Sequence, residues 1–377
     1  MDFFNKITFI GLGLIGGSMA AALKRRGYKG EICGYDALPD SREEAKKMGI
    51  IDHGANTLQE AVAEAELVVL CTPIAAYPQI LRKTAPFLRR EAILTDVGSV
   101  KGCVGELVNQ HVHRDIQFIG GHPMAGSEKG GLKAASATLF ENAYYFLTPG
   151  QHTARETVTK LESFVKAIGA YPVVVGQREH DKITARISHI PHLAAVLLTN
   201  LLDHEGGINS VAFAGGGFRD TTRIASGNPA MWKDIFFYNK EEILLGIESL
   251  ESMLKEFREL LKEKQEGKVL DLLNKAKFIR DGVPKGMPDY MPPLFDIVVD
   301  VEDRPGVLGE LTRLIGENHM NIKEIEILHA REGEQGAVRM GFATAMEQKQ
   351  AFSVLRGGGF PRTYMKGEKN DAYSESC

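Results

Sequence analysis

Two glycine-bearing segments hold the residues of this 377-residue chain best suited to chemistry. In Gly120-Gly121-His122-Pro123-Met124-Ala125-Gly126-Ser127-Glu128-Lys129 a histidine follows the apolar run Ile116-Gln117-Phe118-Ile119. That run reads as a buried strand and the glycine-rich stretch after it as a tight loop. An imidazole then stands at a strand's carboxyl end, the edge where open α/β sheets bind ligands. With an ordinary pKa of about 6.5 it is a neutral proton acceptor at cellular pH, and activity is expected to rise through that titration. Pro123 fixes the backbone beside it, and Gly126 lets the chain pass close to a ligand. The second segment is Ile7-Thr8-Phe9-Ile10-Gly11-Leu12-Gly13-Leu14-Ile15-Gly16-Gly17-Ser18, an apolar strand running into G-x-G-x-x-G. A helical stretch, Met19 to Arg26, follows and stops at Gly27. Gly11 suits the tight turn, Gly13 the approach of backbone to a pyrophosphate, and Gly16 the packing of helix on strand. The helix N-terminus offers free N–H groups to the phosphates, and Leu14 and Ile15 between the glycines are candidate cofactor contacts. A second strand, Glu31 to Tyr35, ends at Asp36, twenty residues after Gly16. A carboxylate there accepts from both ribose hydroxyls of NAD and repels a 2′-phosphate. The expectation is a Rossmann unit that binds NAD.

The elements that must position these residues alternate through about residue 175. Further strands are expected at Leu67–Cys71, Ala92–Asp96, Ile116–Ile119, Tyr144–Leu147 and Tyr171–Val175, giving a mostly parallel, doubly wound sheet. Thr72-Pro73, Asp96-Val97-Gly98-Ser99 and the His122 segment follow three of these strands and share the ligand edge. Thr72, Pro73 and Asp96 are therefore candidate cofactor contacts, and Ser99 and His122 are expected to face one nicotinamide. From Gln177 the pattern becomes helical, with one helix expected over Ile183–Asp203 carrying Ser188-His189-Ile190-Pro191-His192. Another carries Ile243, Ile247, Leu250, Leu254, Phe257 and Leu261 at 4-3-4-3-4 spacing, a seam for a partner helix or an ordinary core stripe. Residues 283 to 293 contain four prolines and read as a semi-rigid linker. Beyond it, strand, helix, strand, strand and helix recur in a small α+β module of the βαββαβ kind. Three domains are expected: 1–176, dinucleotide-binding; 177–285, all-helical for substrate and dimerisation; 294–366, α+β. The last dozen residues, from Lys366, are polar and expected to be disordered.

Composition bounds the function. A formal net charge of −4 argues against a nucleic-acid partner, and 44% hydrophobic residues suffice for a sizeable core. No run of eighteen apolar residues exists, so no membrane span is expected, and strand signal almost at Met1 leaves no room for a signal peptide. Four scattered cysteines, Cys33, Cys71, Cys103 and Cys377, show no metal-ligand spacing and suit a reducing cytoplasm.

GLGLIGGS, TDVGSVK, GGHPMAGSE, SHIPH and GGGFRDTTRIASGNPAMW, in this order, resemble the prephenate and arogenate dehydrogenase family of tyrosine biosynthesis over almost the whole chain. The tail resembles an ACT domain, a ferredoxin-like amino-acid-sensing module, through Asp303-Arg304-Pro305-Gly306-Val307-Leu308 and Asn321-Ile322. The resemblance implies an NAD-dependent oxidative decarboxylation of prephenate to 4-hydroxyphenylpyruvate, carbon dioxide and NADH, with arogenate as the alternative substrate. It implies that His122 takes the ring-hydroxyl proton while Ser99 bonds the same hydroxyl, and that Arg223 clamps the ring carboxylate. Ser127 and His192 would stand near the substrate's carboxylates, Arg219 would add charge at the mouth, and Trp232 would reach the neighbouring subunit of a homodimer. The ACT resemblance implies amino-acid sensing, and pathway logic makes L-tyrosine the expected effector, held by Asp303, the helix start at Gly306, Val307 and Leu308, and Asn321. Phenylalanine, no ligand, or a domain used only for oligomerisation are the alternatives.

Other readings stay open from residues alone. Ser99 either serves substrate or caps a helix starting at Val100. Glu128 is either a solvated loop acid or a gate. Either His189 or His192 meets substrate, the position after Pro191 favouring His192. Lys101 is either a phosphate or substrate contact or neither, and His180 has no pattern around it. A β-hydroxy-acid dehydrogenase would need a lysine base on the first interdomain helix, where only Lys182 stands. A non-enzymatic amino-acid sensor would have no use for His122, Ser99 and Arg223 together.

Overall fold

Side chains of the central strands alternate between two apolar layers. Ile7, Phe9, Leu67 and Val69 enter one core, while Ile10, Val68, Leu70 and Leu94 enter the other. Burial on both faces is what a parallel sheet sandwiched between helices requires. The computed structural model describes residues 3–113, 115–126, 130–151, 153–204, 210–283, 294–302, 304–328 and 336–365. Its first sheet contains β1 (Lys6–Ile10), β2 (Glu31–Tyr35), β3 (His53–Gly54), β4 (Leu67–Leu70), β5 (Ile93–Asp96), β6 (Gln117–Pro123), β7 (Tyr144–Pro149) and β8 (Tyr171–Val174). The helices between them are α1 (Leu14–Arg25), α2 (Pro39–Lys47), α3 (Leu58–Val62), α4 (Tyr77–Thr84), α5 (Gly102–His111) and α6 (Arg155–Ala167). Strand order is β3-β2-β1-β4-β5-β6-β7-β8, parallel throughout except where β7 runs against β6. The order reverses between β1 and β4, so the Gly11 turn lies at the switch point where such sheets open a crevice.

One expectation changes here. Gly120 and Gly121 are not a loop: β6 continues through His122, which pairs with Phe146 of β7. These glycines serve close packing. A Cβ at 120 would lie 2.5 Å from Thr148 Oγ1, and one at 121 would lie 2.5 Å from the Asp96 carbonyl. His122 thus sits on the strand itself, one residue from its end.

The helical part comprises α7 (Gln177–Thr184), a π-turn (Ala185–His189), α8 (Ile190–His204), α9 (Gly216–Thr222), a 3₁₀ turn (Arg223–Ser226), α10 (Pro229–Tyr238) and α11 (Lys240–Lys262). The single helix expected over 183–203 is therefore interrupted. Its π-turn ends just before Pro191, which has no N–H to give a regular ladder. Along α11, Ile243 is buried, whereas Leu254 and Leu261 are 69% and 59% exposed, so this chain's own core does not cover the seam's distal half. Among the described residues no helix is long and apolar enough to cross a membrane.

Contacts divide the chain into Met1–Glu266 and Gly267–Cys377. The second unit holds most of α12 (Glu266–Asp281), then β9 (Phe295–Val301), α13 (Val307–Glu317), β10 (Glu324–Leu328), β11 (Gly336–Phe342), α14 (Ala345–Gly357) and β12 (Thr363–Met365). Its antiparallel sheet, ordered β10-β11-β9-β12, packs Ile297, Val299 and Met340 against Leu311, Ile315 and Leu355 of the two helices. This is the βαββαβ module, closed by β12 as its last strand.

Candidate active site

At the switch point the three glycines of the fingerprint separate by function. Gly11 has φ +102° and abuts the Cys71 carbonyl, where a Cβ would lie 2.8 Å away. At Gly16 a Cβ would fall on the Gly11 carbonyl oxygen. At Gly13 a Cβ would meet nothing within 4 Å, so the backbone there is open to a ligand. No side chain caps α1, which starts at Leu14 and Ile15. Asp36 is anchored at the end of β2 by the backbone N–H groups of Leu12 (2.8 Å) and Leu38 (2.9 Å). Thr72, after β4, has a buried hydroxyl without a hydrogen-bond partner beside Gly11, and Pro73 next to it is exposed. An open cradle, an uncapped helix start, an unpartnered hydroxyl and a fixed carboxylate fit a dinucleotide.

Asp96 has a different place from the one expected. It is fully buried, and Oδ2 takes the Lys101 ammonium at 2.5 Å and the Gly98 N–H at 2.8 Å, while Oδ1 takes the Gly121 N–H at 3.1 Å. Lys101 Nζ also donates to the Gly121 carbonyl at 2.7 Å. Both side chains are occupied in tying β5 to β6. Burial pushes the Lys101 ammonium down, and the Asp96 charge opposes that. Ser99, half-buried on the loop after β5, does not cap α5. Asp181 of α7 does, accepting the N–H groups of Lys101 and Gly102 at 2.8 Å each.

Asp181 also anchors the histidines. Its Oδ1 lies 2.8 Å from His180 Nδ1, and His180 Nε2 lies 2.8 Å from His122 Nδ1. Asn239 Nδ2 reaches the Asp181 carbonyl at 2.9 Å and His189 Nδ1 at 3.1 Å. Burial foremost, then the neighbouring His180, Lys101 and His189, holds His122 well below the usual histidine range. His189 is lowered to about 4, chiefly by burial. His180 is lowered mainly by burial, and its bond to Asp181 opposes this. The expected titration near 6.5 therefore moves to the acid side.

The indole of Trp232 stacks on His192 of its own chain, centroids 3.5 Å apart at 11°. Gly227 makes room: a Cβ there would lie 2.6 Å from the indole nitrogen. His192 Nδ1 is buried without a hydrogen-bond partner, whereas His189 is already engaged. Arg219 and Arg223 are exposed, on α9 and the turn after it, and Arg219 donates to the Ala214 carbonyl at 3.2 Å. Ser127 and Glu128 lie outside the described residues. Sequence reasoning missed His180 and Asp181. Their one signal, an adjacent His-Asp opening the first interdomain helix, has no meaning until α7 is packed on α5.

In the C-terminal unit a cavity of about 580 Å³ is lined by Gly306, Val307 and Leu308 together with Arg304 and Ile327. Gly306 has φ +91° and starts α13 without a side-chain cap. Arg304 is bidentate to Glu310, at 2.8 and 2.6 Å. Asn321 is exposed and does not line this cavity, and Asp303 lies outside the described residues.

Fold and site together define a dinucleotide-dependent dehydrogenase with a buried histidine at the carboxyl edge of its sheet. Residues 19–174 match the family description "Prephenate dehydrogenase, nucleotide-binding domain", residues 177–275 "Prephenate dehydrogenase, dimerization domain", and residues 295–356 "ACT domain". The chain is 38% identical to the prephenate dehydrogenase of Bacillus subtilis over 350 residues, covering 92% of this chain and 94% of that one. It superposes on prephenate dehydrogenase from Aquifex aeolicus, solved with hydroxyphenyl propionate and NAD+, with TM-score 0.69 and 33% identity over 74% of this chain and 98% of that one. Synechocystis arogenate dehydrogenase gives TM-score 0.66 and 32% identity, covering 73% and 99%. The chain belongs to the prephenate dehydrogenase family.

Proposed function

We propose that the chain oxidises and decarboxylates prephenate with NAD+, forming 4-hydroxyphenylpyruvate, carbon dioxide and NADH. The observation that carries this is His122, buried at the sheet edge with Nδ1 bound to His180, which leaves Nε2 for a substrate proton. NAD+, when bound, supplies the hydride acceptor. Gly13 and the start of α1 hold its pyrophosphate, and Asp36 and Thr72 offer polar contacts on either side. His122 Nε2 takes the ring-hydroxyl proton while that carbon loses hydride. The ring carboxylate departs as carbon dioxide, its bonding electron pair completes the aromatic ring, and His122 Nε2 returns the proton to the phenolate oxygen. Ser99, on the neighbouring strand's loop, orients the same hydroxyl. Arg223, planar and permanently charged, binds a carboxylate of the dianion, and Arg219 adds positive potential. His192 and Ser127 complete the substrate contacts. Burial of His122 suits this role, because the base must be neutral before substrate arrives.

The division 1–176, 177–285 and 294–366 assigns cofactor, substrate and regulation in turn. The exposed distal half of the α11 seam and the match to a dimerization domain support a homodimer. The cavity at the start of α13, with backbone N–H groups for a carboxylate and room for an aromatic ring, supports L-tyrosine as effector. Reduced-nicotinamide absorbance with NAD+ and prephenate, repeated with arogenate, tests the reaction and the substrate together. No absorbance change with either substrate overturns it. L-Tyrosine should lower the rate without competing with prephenate; purely competitive inhibition places it at the active site instead.

A further inference from the structure

We propose that His180 and Asp181 are positioning residues that decide which nitrogen of His122 is basic. This rests on the reading of His122 as the base for the ring hydroxyl. Donor and acceptor roles follow from the partners. Asp181 accepts two backbone N–H groups of α5 and offers His180 Nδ1, 2.8 Å away, only acceptor capacity. His180 therefore carries its proton on Nδ1. It has no exposed surface, and burial lowers its pKa, so the ring is neutral and Nε2 holds a lone pair. His122 Nδ1, 2.8 Å from that lone pair, must then be the donor. A neutral His122 is left with its own lone pair on Nε2, on the ring edge turned away from His180. A histidine side chain in water favours the opposite tautomer, so the arrangement is imposed by α7.

The rings are also fixed in orientation. His180 stands edge-on to Phe146, centroids 5.4 Å apart at 87°, and meets His122 at 5.1 Å and 63°. The groups facing His122 are His180 from α7, Lys101 from the start of α5 and His189 from the π-turn. Of these only His180 hydrogen-bonds it; Lys101 is held by Asp96 and the Gly121 carbonyl. In the reaction the substrate O–H bond breaks and an N–H bond forms at His122 Nε2, and no other bond in the row changes. The ring is then cationic, and its Nδ1–H···Nε2 bond becomes charge-assisted, backed by the Asp181 carboxylate. The same contacts that choose the tautomer thus stabilise the charged product of the proton transfer.

The test uses the full-length enzyme labelled with ¹⁵N-histidine, the His122 ring signals being assigned by their loss in His122→Asn. At neutral pH the wild type should show a protonated Nδ1 and an unprotonated Nε2. His180→Phe keeps an aromatic ring beside Phe146 but offers no acceptor. In it the His122 proton should move toward Nε2, and kcat should fall about 10- to 100-fold, as loss of an orienting partner does, with KM for prephenate unchanged. His180→Gln, whose amide oxygen can take the Nδ1–H, should restore the tautomer and most of the rate. A wild-type His122 protonated on Nε2 overturns the proposal, as does a phenylalanine variant with unchanged tautomer and kcat. If wild-type enzyme turns over neither prephenate nor arogenate, the function reading fails, and the tautomer still decides this one. The wild-type spectrum is decisive even if the phenylalanine variant does not fold.

Discussion

Two buried polar networks meet at the start of α5, and they differ in what remains available. In the Asp96–Lys101 network both carboxylate oxygens and the ammonium are taken up, by each other, Gly98, Gly121 and its carbonyl. In the His122–His180–Asp181 row every proton has a partner until the last ring, where Nε2 of His122 has none among the described residues. The first network pairs two charged side chains that are both fully buried, and its bonds hold strands together. The second is neutral over its two rings and ends on a lone pair, so it can accept a proton. Burial alone therefore does not mark the chemistry; an unspent acceptor on a fixed ring does.

The largest expected effect separates the two networks directly. His122→Asn removes the base and leaves Asp96–Lys101 intact. Turnover of prephenate should fall roughly 10²- to 10⁴-fold while nucleotide affinity and thermal stability stay near wild type. Steady-state kinetics with a thermal melt checks it, and a near-normal kcat would sink the assignment. Lys101→Met should do the reverse. Leaving Asp96 charged and unpaired in the interior costs about 3 to 5 kcal/mol of folding stability. Urea unfolding measures that loss, and adding Asp96→Asn should recover much of it. A Lys101→Met enzyme of normal stability and no activity would show the ammonium to be a reaction participant after all.

The fingerprint glycines offer a milder version of the same contrast. Gly13→Val introduces a side chain into space that no protein atom occupies, so the fold should persist while NAD+ binding fails. Gly16→Ala drives a methyl group onto the Gly11 carbonyl and should cost about 1 to 3 kcal/mol, as overpacking does. Calorimetric NAD+ titration and melting of both variants check the pair. Unaltered NAD+ affinity in Gly13→Val would place the dinucleotide elsewhere.

The difference between the networks also explains what could be read from residues alone. The glycine spacing, Asp36 and the strand rhythm are local patterns, and they announce the cofactor end and the α/β class without tertiary information. His122 is legible as a histidine near a strand's end, although the glycines before it mark close packing with Thr148 and Asp96 and not a loop. Lys101 and Asp96 are five residues apart, yet nothing in that spacing says that Gly120 and Gly121 let β6 close over them. Asp181 caps a helix eighty residues earlier in the chain. Such long-range hydrogen bonds leave no periodic trace, so His180 and Asp181 become visible only once α7 lies against α5.

The smallest effect concerns pH, and it tests whether the row is neutral at rest. His122, His180, His189 and His192 are all held below the ordinary histidine value, burial being the leading cause for each. A base must be unprotonated, so kcat/KM should rise with pH only on the acid side of about 6.5 and be level from there toward pH 8. Stability follows the same sign. A histidine whose folded pKa lies below its unfolded one makes the unfolded chain bind more protons between the two values. Its stabilising contribution is therefore complete above about 6.5 and is lost as pH falls toward the folded value. For His189 that window runs from about 6.5 down to about 4. The melting temperature should accordingly be level from pH 8 to about 6.5 and decline below it, before the general titration of carboxylates. His189→Gln should reduce the decline, because it removes one of the titrating rings. A kcat/KM limb centred at or above 6.5 would mean that His122 is charged in the resting enzyme, and the contrast between a saturated charged network and a neutral receptive one would be lost.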